Sequence, residues 1–122
     1  NIFVTDFIEE IESIYYSSDI IIARSGALTL SELAIVSKPS ILIPSPNVSE
    51  NHQVKNAKKI EEKNACICIE EKDLDIIFKS KLDLMIKDGN LRETLSKNIS
   101  LMASPNASYN IVQLLKKHLI NE

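Results

Sequence analysis

Short aliphatic runs alternate with helix-like stretches through the first half of the chain. Runs rich in β-branched and small apolar residues predict four strands, at about 2–5, 20–23, 40–44 and 65–69. Between these runs, apolar residues recur every three or four positions, which is typical of amphipathic helices. The helices predicted in this half cover about 8–17, the stretch that carries Leu30, Leu33 and Ala34, and about 50–62.

The second half of the pattern is wholly helical, with predicted helices at about 73–87, 90–101 and 106–119. Residues that typically cap or break helices support several of these boundaries. We expect Asp6 to cap the first helix, Pro39 to end the second, Asn64 to form a left-handed cap and Gly89 to separate two of the later helices. The elements therefore follow one another as strand and helix, and then as helices only.

Strands that alternate with helices predict crossover connections and a parallel sheet with helices on both faces. At 122 residues, with 44% hydrophobic and 25% charged residues, the chain fits one globular domain, 1–122. The predicted fold class is α/β, a Rossmann-like parallel sheet with flanking helices. Since 1-NIFVTDF-7 begins without Met and already contains a strand-like run, we expect a piece of a longer polypeptide.

Charge and hydropathy narrow the possible partners. The formal net charge of -3 argues against non-specific nucleic-acid binding, which favours a basic surface. The aliphatic runs are far shorter than the ~18 apolar residues of a membrane-spanning helix, so we expect a cytoplasmic protein. An anionic ligand would have to be held by local geometry.

In open parallel sheets, ligands bind beyond the carboxyl ends of the strands. This rule selects the stretches 6-DFI-8, 24-RSGALT-29 and 45-SPNVSENHQ-53. In the second stretch, Gly26 allows close approach of a ligand to the backbone, and a helix begins immediately after it. The unpaired N–H groups of its first turn carry the positive end of the helix dipole, which suits a phosphate or diphosphate.

Glu32 lies one turn further along this helix and has two interpretations. It could bind a ligand, or it could complete the pattern Thr29-x-x-Glu32, a capping box that only ties back the start of the helix. The three-glycine dinucleotide fingerprint and the Walker A lysine are both absent from this stretch. The residues alone leave the two interpretations of Glu32 open.

The stretch 51-NHQVKNA-57 contributes polar side chains. Gln53 and Asn56 are three residues apart and share one helix face with His52, and their amides can donate to and accept from hydroxyl groups. A hydroxyl-rich ligand would suit this face. The alternative is a solvated first turn of the helix.

Other candidate motifs have ordinary structural interpretations. Cys66 and Cys68 lie on one face of a strand, and we interpret them as core residues and not as a metal pair. The two histidines complete no zinc spacing. Asp73 and Asp75 match an Asp-x-Asp motif only formally, and we expect Asp73 to be a helix N-cap. We therefore predict no metal site and no cofactor.

Together, 24-RSGALTLSELA-34, the strand ending at Pro44 and 51-NHQVKNA-57 closely resemble the C-terminal half of the MurG family. These enzymes transfer N-acetylglucosamine (GlcNAc) from UDP-GlcNAc to lipid I, forming lipid II in peptidoglycan synthesis. The resemblance runs from about Val4 to the last predicted helix. It implies a GT-B fold, of which this chain is part of the C-terminal, donor-binding half.

The resemblance also implies roles for individual residues in binding UDP-GlcNAc. Ile8 would meet the uracil through its main chain, Glu32 the ribose hydroxyls, and Gln53 and Asn56 the hydroxyls of the sugar. The remaining positions would form the loop that holds the diphosphate: Ser25, Gly26, Ala27, Leu28 and Thr29. None of these is a catalytic residue.

In such enzymes, the acceptor site and the catalytic base lie in the N-terminal domain. The resemblance thus implies that the full-length enzyme is an inverting transferase with lipid I as acceptor. It also implies that this enzyme is a peripheral membrane protein on the cytoplasmic face of the bacterial inner membrane. The isolated chain is expected to be inactive. Two other functions remain open: a nucleotide-sugar-binding subunit of a split GT-B transferase, and a Rossmann-like interaction module without a ligand.

The chain departs from the family pattern at two turns. The family usually has a glycine where this chain has 36-VSKP-39, and often another where it has Asn64. Asn adopts the left-handed backbone conformation more readily than Ser. The sequence therefore leaves the geometry of the first of these turns open.

Overall fold

A computed structural model describes residues 1–46 and 51–103. Helices and strands alternate along its first two-thirds, and a 3-10 turn at Glu71–Asp73 precedes two final helices. The helices and strands are, in chain order, α1 (Ile11–Ser17), β1 (Ile21–Ala23), α2 (Ala27–Val36), β2 (Ser40–Leu42), α3 (Asn51–Glu62), β3 (Ile67–Cys68), α4 (Leu74–Lys87) and α5 (Gly89–Ser100).

Over the described residues, the strands form one parallel sheet in the order β1-β2-β3. Ile21 of β1 pairs with Ser40 of β2, and Ile41 of β2 pairs with Ile67 of β3. The central strand is therefore β2. Each connection carries a helix, α2 or α3, as parallel pairing requires. The predicted Rossmann-like α/β fold is confirmed. The helix predicted at 106–119 lies outside the described residues.

Two hydrophobic clusters cover the two faces of the sheet. Leu42 of β2 points into the first cluster, where Leu33 of α2 and Ala57 of α3 also lie. The neighbouring Ile41 points into the second cluster, against Met85 of α4. Side chains alternate between faces along a strand, so continuous apolar runs are needed to fill both clusters. This explains why β2 and β3 consist of apolar residues and a cysteine apart from Ser40.

The cysteines follow the same alternation. Cys66 and Cys68 both pack with the first cluster, and Ile67 packs with the second. The two cysteines form no disulfide with each other. Burial raises the pKa of the Cys66 thiol to about 12. Their interpretation as residues on one face of a strand is confirmed.

The prediction of a strand at 2–5 is wrong for this structure. Ile2, Phe3 and Val4 are 94%, 89% and 86% exposed and form no ladder. A strand requires a neighbour to accept and donate its hydrogen bonds, and within the described part of the chain β1 pairs only with β2. An apolar pattern without a partner does not make a strand.

The predicted N-cap at Asp6 is also wrong. Helix α1 begins at Ile11, with Glu10 in the cap position and no side-chain cap hydrogen bond. The Thr5 hydroxyl donates to the carbonyl of Phe7 at 2.8 Å, a local turn that competes with helix formation. The helix therefore starts several residues later than the apolar spacing indicates.

Left-handed residues end two of the helices. Ser37 follows α2 with φ 54° and ψ 44°, and Asn64 follows α3 with φ 55°. The Asn64 cap is confirmed, and the turn at 36-VSKP-39 takes a left-handed conformation although it lacks glycine. Asp73 and Asp88 occupy the N-cap positions of α4 and α5, as expected for Asp73, and only the Asp88 side chain makes a cap hydrogen bond.

Candidate functional site at the carboxyl edge of the sheet

The loops that follow β1 and β2 lie side by side. Ala23 pairs with Leu42 at the carboxyl ends of these strands, so 24–26 and 43–46 leave the sheet at the same edge. Helix α2 begins directly after the first loop, and α3 follows the second. Of the stretches selected from the sequence, 24–29 and the described part of 45–53 are thus brought together.

Helix α2 starts as an open helix end. Gly26 is its N-cap, with φ −69° and ψ 155°, and no side chain caps it. The N–H groups of the first turn have no acceptors within a helix, and Leu30 N is the first to bond back, to Gly26 O. Ala27 is exposed and Leu28 is 52% exposed. The positive end of the helix dipole therefore faces accessible space, where an anion would be favoured.

Gly26 is not required by its own backbone. Its φ lies in the region open to any residue, and a Cβ built there would lie 3.9 Å from Gln53 Nε2, an ordinary contact. A methyl group at this position would occupy the space between the start of α2 and the Gln53 amide. The glycine therefore keeps space open in front of the helix end.

Ser25 and Gln53 fasten the two loops to each other. The Ser25 side chain is fully buried, and its hydroxyl donates to the Gln53 carbonyl at 2.8 Å. The Gln53 side-chain oxygen accepts from Ser45 N at 3.1 Å. Ser25 thus lies beneath the site, while Gln53 is held beside Gly26.

Arg24 was not singled out from the sequence, yet it joins the ends of all three strands. Its guanidinium donates to the carbonyls of Ile43 and Pro44 at 3.3 and 3.4 Å and pairs with the Glu71 carboxylate at 3.2 Å. The ion pair is half-exposed and contributes little to stability. The signal in the sequence was its position, directly after β1 at the edge where the loops converge.

The capping-box interpretation of Glu32 is wrong. Because Gly26 is the N-cap, Thr29 is the third residue of α2, and Glu32 lies beyond the first turn. Glu32 is only 9% exposed, and its Oε2 accepts a hydrogen bond of 2.5 Å from the hydroxyl of Tyr15 in α1. Glu32 therefore faces α1, where it is available for a role other than capping.

Asn56 lies in α3 and borders a groove next to α2. It lines a groove of about 450 Å³ between α2, α3 and the end of α5, together with Ala27, Ser31, Lys59 and Lys63. Gln53 therefore lies beside Gly26, and Asn56 lines a groove to which Ala27 of α2 also contributes. His52 is exposed to solvent.

Ile8 lies in the irregular segment that precedes α1, and its side chain is partly exposed. In the part of the chain that the structure describes, no group of three or more His, Cys, Asp or Glu side chains could hold a metal ion. No helix among the described residues is long and apolar enough to cross a membrane.

Known proteins are similar to this chain in sequence. Over 117 residues the chain is 46% identical to the UDP-N-acetylglucosamine--N-acetylmuramyl-(pentapeptide) pyrophosphoryl-undecaprenol N-acetylglucosamine transferase of Flavobacterium psychrophilum, covering 96% of this chain and 32% of that protein. It is 46% identical over 110 residues to the protein of the same name from Cytophaga hutchinsonii, covering 89% of this chain and 30% of that protein. The chain spans about a third of the length of these relatives.

The crystal structure of Acinetobacter baumannii MurG has the same fold. It matches with a TM-score of 0.74 at 28% identity, over 91% of this chain and 32% of that one. The resemblance to the MurG family noted from the sequence is confirmed. Residues 1–115 match the glycosyltransferase family 28 C-terminal domain, and the chain belongs to this family.

Proposed function

We propose that this chain is the donor-binding domain, 1–122, of a larger GT-B enzyme that transfers N-acetylglucosamine from UDP-GlcNAc. Its relatives bear the name of such a transferase and are about three times as long. The observation that carries the proposal is the open N-terminus of α2 at Gly26, flanked by Gln53, with the buried Glu32 carboxylate one turn further on.

The proposal gives each part of the donor a partner in this chain. The diphosphate would lie at the start of α2, over Gly26 and the first-turn N–H groups, where the helix dipole favours negative charge. The Glu32 carboxylate would accept hydrogen bonds from the ribose hydroxyls. Gln53 and Asn56 would meet the sugar, and the main chain at Ile8 the uracil, while the buried Ser25 supports the loop from below.

These placements give the chain a part in the reaction. An acceptor hydroxyl would attack the anomeric carbon from the face opposite UDP, so the bond to the diphosphate breaks with inversion. The N-terminus of α2 would stabilise the charge that develops on the leaving UDP. The acceptor and the base that takes its proton belong to the part of the enzyme outside this chain. The proposal assigns no metal or cofactor to these residues.

The relatives' name also specifies an acceptor, an N-acetylmuramyl-(pentapeptide) pyrophosphoryl-undecaprenol, which carries a long lipid chain. We propose the same acceptor, lipid I, for the whole enzyme. Its chemistry places the reaction at a membrane surface, and we assign the enzyme to the cytoplasmic face. The described residues would take part without crossing the membrane.

Calorimetric titration of the native polypeptide that carries this sequence tests the donor site. UDP-GlcNAc and UDP should bind, ADP should bind more weakly, and Glu32→Ala should lose about 1.5 to 3 kcal/mol of binding free energy, the size of hydrogen bonds to a charged group. The matched control is Glu93→Ala, which removes an exposed carboxylate from α5. A folded protein that binds no uridine nucleotide would refute the proposal.

A further inference from the structure

The Tyr15 side chain reaches Glu32 from a different helix. Tyr15 lies in α1 and packs partly buried against the first hydrophobic cluster, 17 positions before Glu32 in the chain. Its hydroxyl donates to Glu32 Oε2 at 2.5 Å, a short hydrogen bond. A partly buried tyrosine of α1 is therefore hydrogen-bonded to the buried carboxylate of α2.

A buried carboxylate needs such a partner. At 9% exposure, Glu32 has lost most of its water, and an ionised oxygen without a donor in that environment is costly. Burial, and then the hydrogen bond to Glu32, raises the pKa of the Tyr15 phenol above its ordinary value, so the hydroxyl keeps its proton and remains a donor.

The contact also fixes the direction of the carboxylate. A glutamate side chain has three rotatable bonds, and anchoring one oxygen leaves the other with a defined position. Two neighbouring hydroxyls of a ribose can be recognised together only if the carboxylate is held in one orientation. An ordered acceptor also avoids part of the entropy that binding would otherwise cost.

We propose that Tyr15 is a positioning residue of the donor site, which orients the Glu32 carboxylate for the ribose hydroxyls. This inference rests on the proposed function, and in particular on the ribose contact of Glu32. Tyr15 itself touches no part of the donor in this scheme. It acts through Glu32, so its effect must depend on Glu32 and on the ribose hydroxyls.

The test is a double-mutant cycle with two nucleotides, measured by calorimetry on the native polypeptide. The variants are Tyr15→Phe, Glu32→Ala and the pair, and the nucleotides are UDP and 2′-deoxy-UDP. Tyr15→Phe retains the ring that packs in the core and removes only the hydroxyl. The matched control is Tyr16→Phe, which alters the neighbouring tyrosine of α1, 63% exposed. Thermal unfolding checks that every variant is folded.

Tyr15→Phe should weaken UDP binding about tenfold, as for loss of one hydrogen bond to a charged group, and should weaken 2′-deoxy-UDP less. Its effect should vanish in the Glu32→Ala background, and Tyr16→Phe should bind as the wild type does. If Tyr15→Phe binds UDP normally while Glu32→Ala is impaired, the inference is overturned and the proposed function stands.

Two other outcomes also overturn the inference. Equal losses for UDP and 2′-deoxy-UDP in Tyr15→Phe would show a general effect on the fold and no orientation of the carboxylate. Normal UDP binding by Glu32→Ala would show that Glu32 does not contact the ribose. The role of Glu32 in the proposed function would then be refuted together with this inference.

Discussion

Replacing Gly26 by alanine separates what the fold needs from what a ligand needs. The backbone at Gly26, φ −69° and ψ 155°, is accessible to alanine, and among the described residues the new methyl would meet only Gln53 Nε2, at 3.9 Å. Alanine restricts the unfolded chain more than glycine does, which raises the free energy of unfolding by about 0.4–1 kcal/mol. Alanine is also a poorer N-cap than glycine, which lowers it by a similar amount. These effects oppose each other, so stability should change by less than about 1 kcal/mol.

Binding should respond much more strongly than stability. The added methyl would stand in front of the N–H groups at the start of α2, where a diphosphate oxygen would have to approach to about 2.9 Å. Displacing the diphosphate would lose at least one hydrogen bond to a charged group, about 1.5–3 kcal/mol. We expect Gly26→Ala to bind UDP at least about tenfold more weakly, with an almost unchanged melting temperature.

The assay is calorimetry with UDP, together with thermal unfolding of each variant. Gly89→Ala is the matched control, since Gly89 also lies at the start of a helix, α5, and within the described part of the chain a Cβ there would meet only the flexible end of Arg92, at 3.4 Å. It should bind UDP normally and be somewhat more stable, because alanine favours helix over glycine. Binding by Gly26→Ala within twofold of the wild type would refute the placement of the diphosphate at this helix end.

Three further predictions concern stability and thiol reactivity. Ser37→Gly should raise the free energy of unfolding by about 0.5–1 kcal/mol, since Ser37 is held at φ 54°, and urea denaturation without any gain would contradict this. Ser40→Ala should be neutral or stabilising in the same assay, because the buried Ser40 hydroxyl has no partner among the described residues; a loss above about 1 kcal/mol would reveal one. At pH 8, iodoacetamide should modify Cys68 before Cys66, because burial raises their pKa values to about 11 and about 12 and hides Cys66 more completely. Single Cys→Ser variants identify each thiol by mass spectrometry, and faster modification of Cys66 would contradict the order.

Local patterns in the sequence were enough for the parts of the fold that depend on neighbours in the chain. Helical spacing and the glycine before Ala27 placed α2 correctly, and the residue preference of Asn64 gave its left-handed cap. Alternation along the run at 65–69, which contains β3, put Cys66 and Cys68 on one face. Each of these features is decided within a few residues, where intrinsic conformational preference acts.

Features that depend on distant residues were not accessible in this way. The run at 2–5 has the composition of a strand, but its outcome depends on a partner that the described chain does not supply. The contact of Tyr15 with Glu32 depends on how α1 packs on α2, and Arg24 gains its role only when three strand ends converge. The spacing Thr29-x-x-Glu32 matches a capping box, but α2 begins at Ala27, so Thr29 is not in the N-cap position.

Helix α5 has a consequence for how the chain unfolds. Leu95 lies in the hydrophobic cluster on one face of the sheet, and Ile99, one turn later, lies in the cluster on the other face. Because the same rigid helix completes both clusters, neither can open without disturbing α5 and therefore the other. The two faces should lose hydrogen-exchange protection together, as one cooperative unit, so that damage on one face of the sheet also affects the helices of the proposed donor site.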